Sequence, residues 1–315
     1  LFAVLMIITF GFAYNSVQSN TICLAWQKAF GIEPATMGIA LTVLTLLIIF
    51  GGIHRVAKFS STVVPVMAVI YLLIAVGVVV WNITSLPKVL LTIVENAFGF
   101  NQAAGGVLGV TVIQGIKRGL FSNEAGEGSA PNAAAVATVS HPVKQGLIQA
   151  LGVFTDTLVV CSCTAFIILV SGVDLTASNG IQLTQDALTH EIGSIGNPFV
   201  AVMIWLLAFS SIIGNYYYGE TNVRYIRDSK LGVFVYRLAV AAMVMVGAVV
   251  SLDFAWSFAD ITMALLTLCN LVAIVLLSRQ AVFLLKDYRQ QKKEGKNPVF
   301  TKDKMPEIAD KLEAW

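Results

Sequence analysis

Apolar runs of about twenty residues recur from one end of this chain to near the other, and each is long enough to cross a hydrocarbon core of ~30 Å as a helix. Of the 315 residues, 57% are hydrophobic and only 12% are charged, too few charges to clothe a soluble domain of this length. The expected fold class is therefore an all-α polytopic membrane protein.

Reading apolar runs against charged breaks predicts eight crossings, at about 1–25, 35–53, 61–82, 103–140 (interrupted), 146–172, 198–222, 232–251 and 255–285. Residues 1–285 are expected to form the membrane domain and 286–315, charged and carrying Pro298 and Pro306, a tail that is partly helical at most. The first apolar run has no basic leader and no small-residue cleavage site, so it does not read as a signal peptide. A start inside a span predicts further sequence upstream.

Alternate connections differ in charge. One set holds Arg55 and Lys58, then Lys144, then Arg224, Arg227 and Lys230, and finally the tail with Lys286, Arg289, Lys292, Lys293 and Lys296, whereas the other holds little beyond Lys28 and Lys88. The positive-inside rule puts the first set in the cytoplasm, C-terminus included, of a multi-pass protein of the cell (inner or plasma) membrane. The outer connections 83–102 and 173–197 are long, carry Glu95, Asp174, Asp186 and Glu191, and are read as short helices over the outer mouth or as loops.

Cys23, Cys161, Cys163 and Cys269 lie in apolar runs and read as small buried residues, not as disulfides. The histidines, His54, His141 and His190, are expected in loops, and no paired His/Cys spacing suggests a transition-metal site. With no histidine expected in any span, a membrane-embedded enzyme has no base or metal constellation to work with. Nothing points to nucleic acid or to an organic cofactor.

The fourth apolar segment is the anomaly. It runs through Gly115-Ile116-Lys117-Arg118-Gly119-Leu120-Phe121 into Ser122-Asn123-Glu124-Ala125-Gly126-Glu127-Gly128-Ser129-Ala130-Pro131 and on through an alanine-rich stretch to Val139. As one helix from Gly105 it would be about 50 Å long, more than one hydrocarbon thickness. Gly126 and Gly128 relax the backbone, and Ser129 with Pro131 makes a good helix start. Two half-helices meeting at 122–128 would aim N–H groups at the gap from one side and unpaired carbonyls from the other, a geometry suited to a zwitterion with a cation. The competing reading is a loop that turns back before Pro131 and keeps Lys117 and Arg118 out of the membrane.

The run Lys117 to Pro131, with His141-Pro142-Val143-Lys144-Gln145-Gly146 and Phe154-Thr155-Asp156-Thr157, resembles the alanine/glycine:cation (sodium:alanine) symporter family. The likeness extends through Val17-Gln18-Ser19-Asn20, Gly51-Gly52-Ile53, Tyr217-Tyr218-Gly219-Glu220, Asp260 and Asn270-Leu271 to about residue 290, and corresponds to the C-terminal two-thirds of the family's chain. It implies a leucine-transporter-like fold of inverted helical repeats with a discontinuous helix, the peripheral span and the first two core helices lying upstream of Leu1. It also implies a sodium-coupled symporter of small neutral amino acids, alanine or glycine, working by alternating access, with Na+ as the co-transported ion.

Carried over position by position, the resemblance makes Gln18, Phe121, Ser122, Asn123, Glu124, Ala125, Gly126 and Asn215 substrate-site candidates, and Ser210 and Ser211 cation ligands, two hydroxyls suiting a hard ion. Asp156, an intramembrane carboxylate that needs a partner or water, is the third cation candidate. Two positions depart from the family pattern: Asn215 stands where Trp is expected and Glu127 where an apolar residue is common.

Alternatives stay open at several residues. Glu124 accepts from a substrate ammonium or pairs with Lys117 or Arg118; Asp156 binds sodium or serves a structural partner such as Thr157; Ser210 and Ser211 bind a cation or bond back to their own helix. Asp260 and Asn270 hold neighbouring helices together, and Glu220, Arg224 and Arg227 form gate or interface salt links. Proton coupling through Glu124 or Asp156, and passive conduction, are the rival transport modes.

Overall fold

The computed structural model describes residues 1–51, 53–98 and 105–312, with side chains throughout these ranges except at 53–60, 62–64, 105–111 and 311. Gly52, the end of the connection expected at 83–102, the start of the crossing expected at 103–140 and the side chains of His54, Arg55 and Lys58 thus lie outside the described set.

Among the described residues every regular element is helical. In chain order these are α1 (Phe2–Phe30), α2 (Pro34–Gly51), α3 (Ile53–Trp81), α4 (Leu86–Ala97), α5 (Gly105–Asn123), α6 (Ser129–Ala134), α7 (Pro142–Ser171), α8 (Ile181–Ile192), α9 (Gly196–Ile226), α10 (Lys230–Val249) and α11 (Leu252–Lys293). Both α1 and α7 contain one π turn, at Thr9–Tyr14 and Asp156–Cys161. Such turns insert a residue into the helix and re-aim the side chains beyond it. Ser229 and Ser251 accept backbone N–H groups at the starts of α10 and α11, and His141 does so for α7.

Each predicted crossing coincides with a helix or a helix pair, with α3 starting earlier than expected, at Ile53. By length and apolarity six segments qualify as spans, and a seventh if Pro65–Trp81 and α4, which meet at 103°, form one broken crossing, against the eight expected; α5, the described part of the predicted fourth crossing before its break, is not among them. The two long outer connections contain α4 and α8, so of the two readings left open for them the helical one applies. Two of the three histidines are not loop residues as expected: His190 is in α8 and His54 lies in the first turn of α3, whereas His141 does lie in the connection before α7, as a fully buried cap. Nor are all four cysteines buried, since Cys161 is exposed and only Cys23 is enclosed, although all are free thiols. Cys161 sits in the π turn of α7, on a helix whose apolar flank, including Leu147, Leu151 and Leu158, faces away from the rest of the chain.

α1, α2, α9 and α10 share one apolar core, built on Ile22, Leu41, Ile212, Val240 and Val244. The first half of α1 packs on α11 through Met6, Phe10, Ala259 and Leu266, while α3, α4, α7, α8 and α9 meet around Ala75, Ile167 and Leu188. In lipid, helices associate through close backbone approach and polar contacts, because apolar side chains gain little by leaving one oily phase for another. The crossing of α1 and α10 obeys that rule. A Cβ on Gly247 would lie 2.5 Å from the Ser16 backbone, Ser19 Oγ donates to the Val244 carbonyl at 2.6 Å, and Asn20 Nδ2 donates to Gly247 and Val250 carbonyls at 3.0 and 2.8 Å.

α11, at about 63 Å, is twice the hydrocarbon thickness, and it continues past the expected domain boundary at 286 to Lys293. Beyond it the chain folds back. Phe300 N–H donates to the Ser140 carbonyl at 2.9 Å, and Ser140 Oγ to the Pro298 carbonyl at 2.9 Å. Lys144 reaches Asn297 at 2.7 Å. Asp287 gathers His141 Nε2 at 3.2 Å, Gln291 at 2.8 Å and Lys304 at 2.9 Å. Residues 297–304 thus strap the connection between α6 and α7 to the end of α11.

This packing has two testable outcomes. Gly247→Val should lower the melting temperature of the detergent-purified protein, since forcing a side chain into a closed contact costs about 1–3 kcal/mol; an unchanged melt would mean that α1 and α10 are not pressed together. Asp287→Ala should expose the segment after Gly295 to trypsin while leaving the melt of the helical core unchanged, and cleavage no faster than wild type would mean that the backbone bonds alone hold the strap.

Candidate functional site

The interruption in the fourth segment is real and its chemistry is local. Ala125 N–H donates to the Leu120 carbonyl at 3.1 Å and Glu124 N–H to the Phe121 carbonyl at 3.4 Å, the paired closure of a Schellman motif. That motif needs a left-handed residue just past the helix, usually glycine or asparagine, and here Glu124 fills it with φ of 48°. A left-handed residue with a full side chain is strained by about 1–2 kcal/mol, and such strain concentrates at functional positions. Gly126 and Gly128, with φ of 78° and 85°, complete the reversal. Gly128 is also sterically fixed, since a Cβ there would meet Phe2 at 2.6 Å and Asn270 at 2.9 Å.

Two expectations about the break are corrected. α6 spans six residues, Ser129–Ala134, rather than reaching Val139, because the chain turns at Ala134–Ala137 and then extends to His141. So short a helix carries little macrodipole. Of the last four carbonyls of α5, expected to be open to a cation, the Schellman closure moreover takes two, those of Leu120 and Phe121.

The charged residues around the break pair among themselves. Lys117 Nζ lies 3.4 Å from Asp260 on α11, and Arg118 donates to the same carboxylate while its guanidinium covers the Trp256 ring at 4.1 Å. Of the two roles left open for Glu124, pairing with these cations is excluded; its carboxylate accepts from Ser129 Oγ across the break. Asn270 Nδ2 donates to the Gly126 carbonyl at 2.8 Å, so Asp260 and Asn270 do tie α11 to the interrupted segment. Glu220 bridges to Arg224 at 2.8 Å and to Arg237 of α10 at 3.2 Å, a partner not expected from the sequence.

Beside the break lies a cavity of about 330 Å³. Gln18 enters it from α1, Phe121, Ser122 and Glu124 from the end of α5, and Ser210, Ser211 and Asn215 from α9. Residues singled out in three distant stretches of sequence thus converge on one hollow. Among the described residues the Gln18 amide has no hydrogen-bond partner in the protein. Asn123, Ala125 and Gly126 belong to the break but do not line the cavity. Asp156 does not line it either; it accepts from Ser122 Oγ, while Thr157 donates to Asn123 at 2.9 Å rather than to Asp156. Ser210 and Ser211 both donate to the Leu207 carbonyl, at 2.7 and 3.2 Å, which leaves their oxygen lone pairs for a ligand.

Tyr14, Gly214 and Tyr218 also line the cavity and were missed. The signal was present: Tyr14 stands four residues before Gln18, and 211, 214, 215 and 218 fall on one helical face. Tyr14 is sandwiched between Phe10 and Phe121, with ring centroids at 4.9 and 4.7 Å, and Phe121 in turn packs on Trp256 at 4.8 Å. The result is an aromatic wall on one side of a hydroxyl- and amide-lined hollow. Among the described residues no group of three or more His, Cys, Asp or Glu is placed to hold a metal ion.

Comparison with known proteins gives these features a family. The chain is 54% identical over 304 residues to the probable sodium/glutamine symporter GlnT of Bacillus subtilis, covering 96% of this chain and 64% of that protein. It is 51% identical over 314 residues to the amino-acid carrier protein AlsT of the same organism, covering 100% of this chain and 67% of that one. The sodium/alanine symporter AgcS of Methanococcus maripaludis is 35% identical over 291 residues, covering 90% of this chain and 63% of that protein. The chain therefore spans about two-thirds of the length of these relatives, and they point to a transporter rather than an enzyme. The model of the sodium:alanine symporter family matches residues 1–302, and a match over nearly the whole chain means that this multi-pass membrane protein belongs to the sodium:alanine symporter family.

Proposed function

We propose that the protein of which these helices are part is a sodium-coupled symporter of a small neutral amino acid, with alanine, glycine and glutamine the substrates to be tried. The observation that carries the reading is the convergence of Gln18, Glu124, Ser210, Ser211 and Asn215 on one cavity beside a helix break. A volume of about 330 Å³ is near the low end for ligand sites, which favours an amino acid over a larger solute. The Gln18 amide supplies both donors and an acceptor to a zwitterion, Glu124 accepts from its ammonium, and the Ser210 and Ser211 hydroxyls supply hard oxygen ligands to Na+, with Asp156 outside the cavity acting only on the lining residue Ser122.

Alternating access in a leucine-transporter-like arrangement of two helical repeats is the mode this reading adopts. The break supports that mode in one respect: α5 and α6 are separate elements joined through three left-handed residues, Glu124, Gly126 and Gly128, rather than one continuous helix. The C-terminus is placed in the cytoplasm on the strength of the basic residues around 286–296.

Uptake of labelled alanine, glycine and glutamine into proteoliposomes holding the full-length protein, under a sodium gradient, a potassium gradient and a pH gradient alone, tests the reading. Saturable uptake in the sodium arm only is expected. Uptake indifferent to sodium defeats sodium symport, uptake driven by the pH gradient alone transfers the coupling to protons, and uptake without saturation indicates a channel. Within the same assay Gln18→Ala should raise the half-saturating amino-acid concentration about tenfold, the worth of one hydrogen bond to a charged group, and Ser211→Ala should mainly raise that for sodium. Wild-type behaviour in both variants removes these residues from the site.

A further inference from the structure

Glu127 is the most deeply placed charged residue of the break. It is fully buried, it lines no part of the cavity, and neither Lys117 nor Arg118 turns to it, both being engaged by Asp260. Its Oε1 accepts from the Tyr14 hydroxyl at 2.7 Å, across 113 residues of sequence, and among the described residues its Oε2 has no partner. Enclosing a carboxyl this completely is costly, and the single polar contact it makes is to a residue that does line the cavity.

From these contacts we infer that Glu127 is a positioning residue for the amino-acid site: it fixes the Tyr14 ring as the rigid wall of the cavity. The inference rests on the symport reading above. The direction of the Glu127 side chain is set by the backbone on both sides of it. Gly126 and Gly128 flank it in left-handed conformations, Asn270 holds the Gly126 carbonyl, and Gly128 has no room for a Cβ between Phe2 and Asn270. The break cannot rotate about Glu127 without undoing these contacts. At the other end Tyr14 is the last residue of the π turn in α1, where the helix changes register, and its ring is held between Phe10 and Phe121. The hydrogen bond removes the remaining freedom, the sliding of the ring along that stack into the cavity. Through it, the state of the break is read directly by the shape of the amino-acid site, with no ligand contact by Glu127 itself.

The requirement is for an acceptor at this point, not for a charge, and that separates the inference from its rivals. Glu127→Gln keeps an oxygen acceptor of the same reach, and Glu127→Met keeps the length without it. In sodium-driven uptake by the full-length transporter, Glu127→Met should raise the half-saturating amino-acid concentration about tenfold, the cost of leaving a buried phenol without its partner, with the maximal rate and the half-saturating sodium within about twofold of wild type. Glu127→Gln should restore wild-type behaviour, and Glu127→Met added to Tyr14→Phe should cost no more than Tyr14→Phe alone. A Glu127→Gln variant as impaired as Glu127→Met, or a shift in sodium dependence in either, overturns the inference in favour of a charge or cation role. A fall in maximal rate alone overturns it in favour of a purely structural one. Should wild type show no sodium-driven uptake, the symport reading fails, and the positioning claim is judged by fluorotyrosine at position 14 in the purified full-length protein: one sharp fluorine resonance in wild type and Glu127→Gln, broadened or divided in Glu127→Met, is expected, and identical spectra in all three overturn it.

Discussion

A helix that stops among packed neighbours has to find partners within the protein for the backbone groups it frees wherever water is kept from them. Everything around residues 120–129 is organised by that requirement. The Schellman closure takes the carbonyls of Leu120 and Phe121, Asn270 takes that of Gly126, and Ser129 turns its hydroxyl to Glu124. The partners come from α5 itself, from α11 and from the start of α6, so the break is a junction at which these elements are mutually fixed. Lys117 and Arg118 are accommodated by the same logic. Asp260 pairs with both side chains, offsetting one of their two charges, and Trp256 covers the guanidinium face, an arrangement that makes two cations tolerable near a helix end.

The helices could be read from the sequence because membrane thickness fixes the length of an apolar run, and charge marks where it ends. The break itself was equally legible: Gly126, Gly128, Ser129 and Pro131 each have a backbone preference that opposes a continuous helix and favours a restart. The length of the restarted helix was not legible. A run of alanines has high helix propensity, yet α6 stops at Ala134, because Ser140 and His141 beyond it are tied to the tail and to Asp287. Those tertiary bonds pull the chain into extended backbone and override propensity. Local sequence contains no record of a partner 158 residues away.

The cavity was legible in part, and the division is instructive. Residues that belong to conspicuous polar stretches, such as Gln18, Ser122, Glu124, Ser210 and Ser211, were found. Tyr14 and Tyr218 were not, since an aromatic in an apolar helix is read as core unless something shows which way it faces. The four-residue spacing puts Tyr14 on the same helical face as Gln18, but that spacing becomes informative only once Gln18 is seen to face the cavity. The cation assignments show the opposite limit. Ser210 and Ser211 sit on the cavity as expected, but their hydroxyl hydrogens go to Leu207, the usual fate of such groups in apolar helices. The two roles are compatible, because a hydroxyl whose proton is already committed presents its lone pairs outward, which is the orientation an oxygen ligand needs.

A polar hollow in a membrane protein has to be sensitive to the backbone around it if ligand binding is to change the protein's shape, since a ligand shifts only those equilibria whose states it binds differently. The geometry meets that condition at one place more than any other. Glu124 contributes to the cavity wall and is simultaneously the left-handed residue that ends α5, so any ligand that moves its carboxylate acts on the turn that separates α5 from α6. Ser122, one residue inside the helix end, lines the same cavity and is bonded to Asp156 in the π turn of α7. A π turn is a local departure from the ordinary α-helical register and recurs at functional sites. Ser122 and Glu124, two nearby positions on the cavity wall, are therefore each joined to an irregular helix segment, the π turn of α7 and the turn that ends α5.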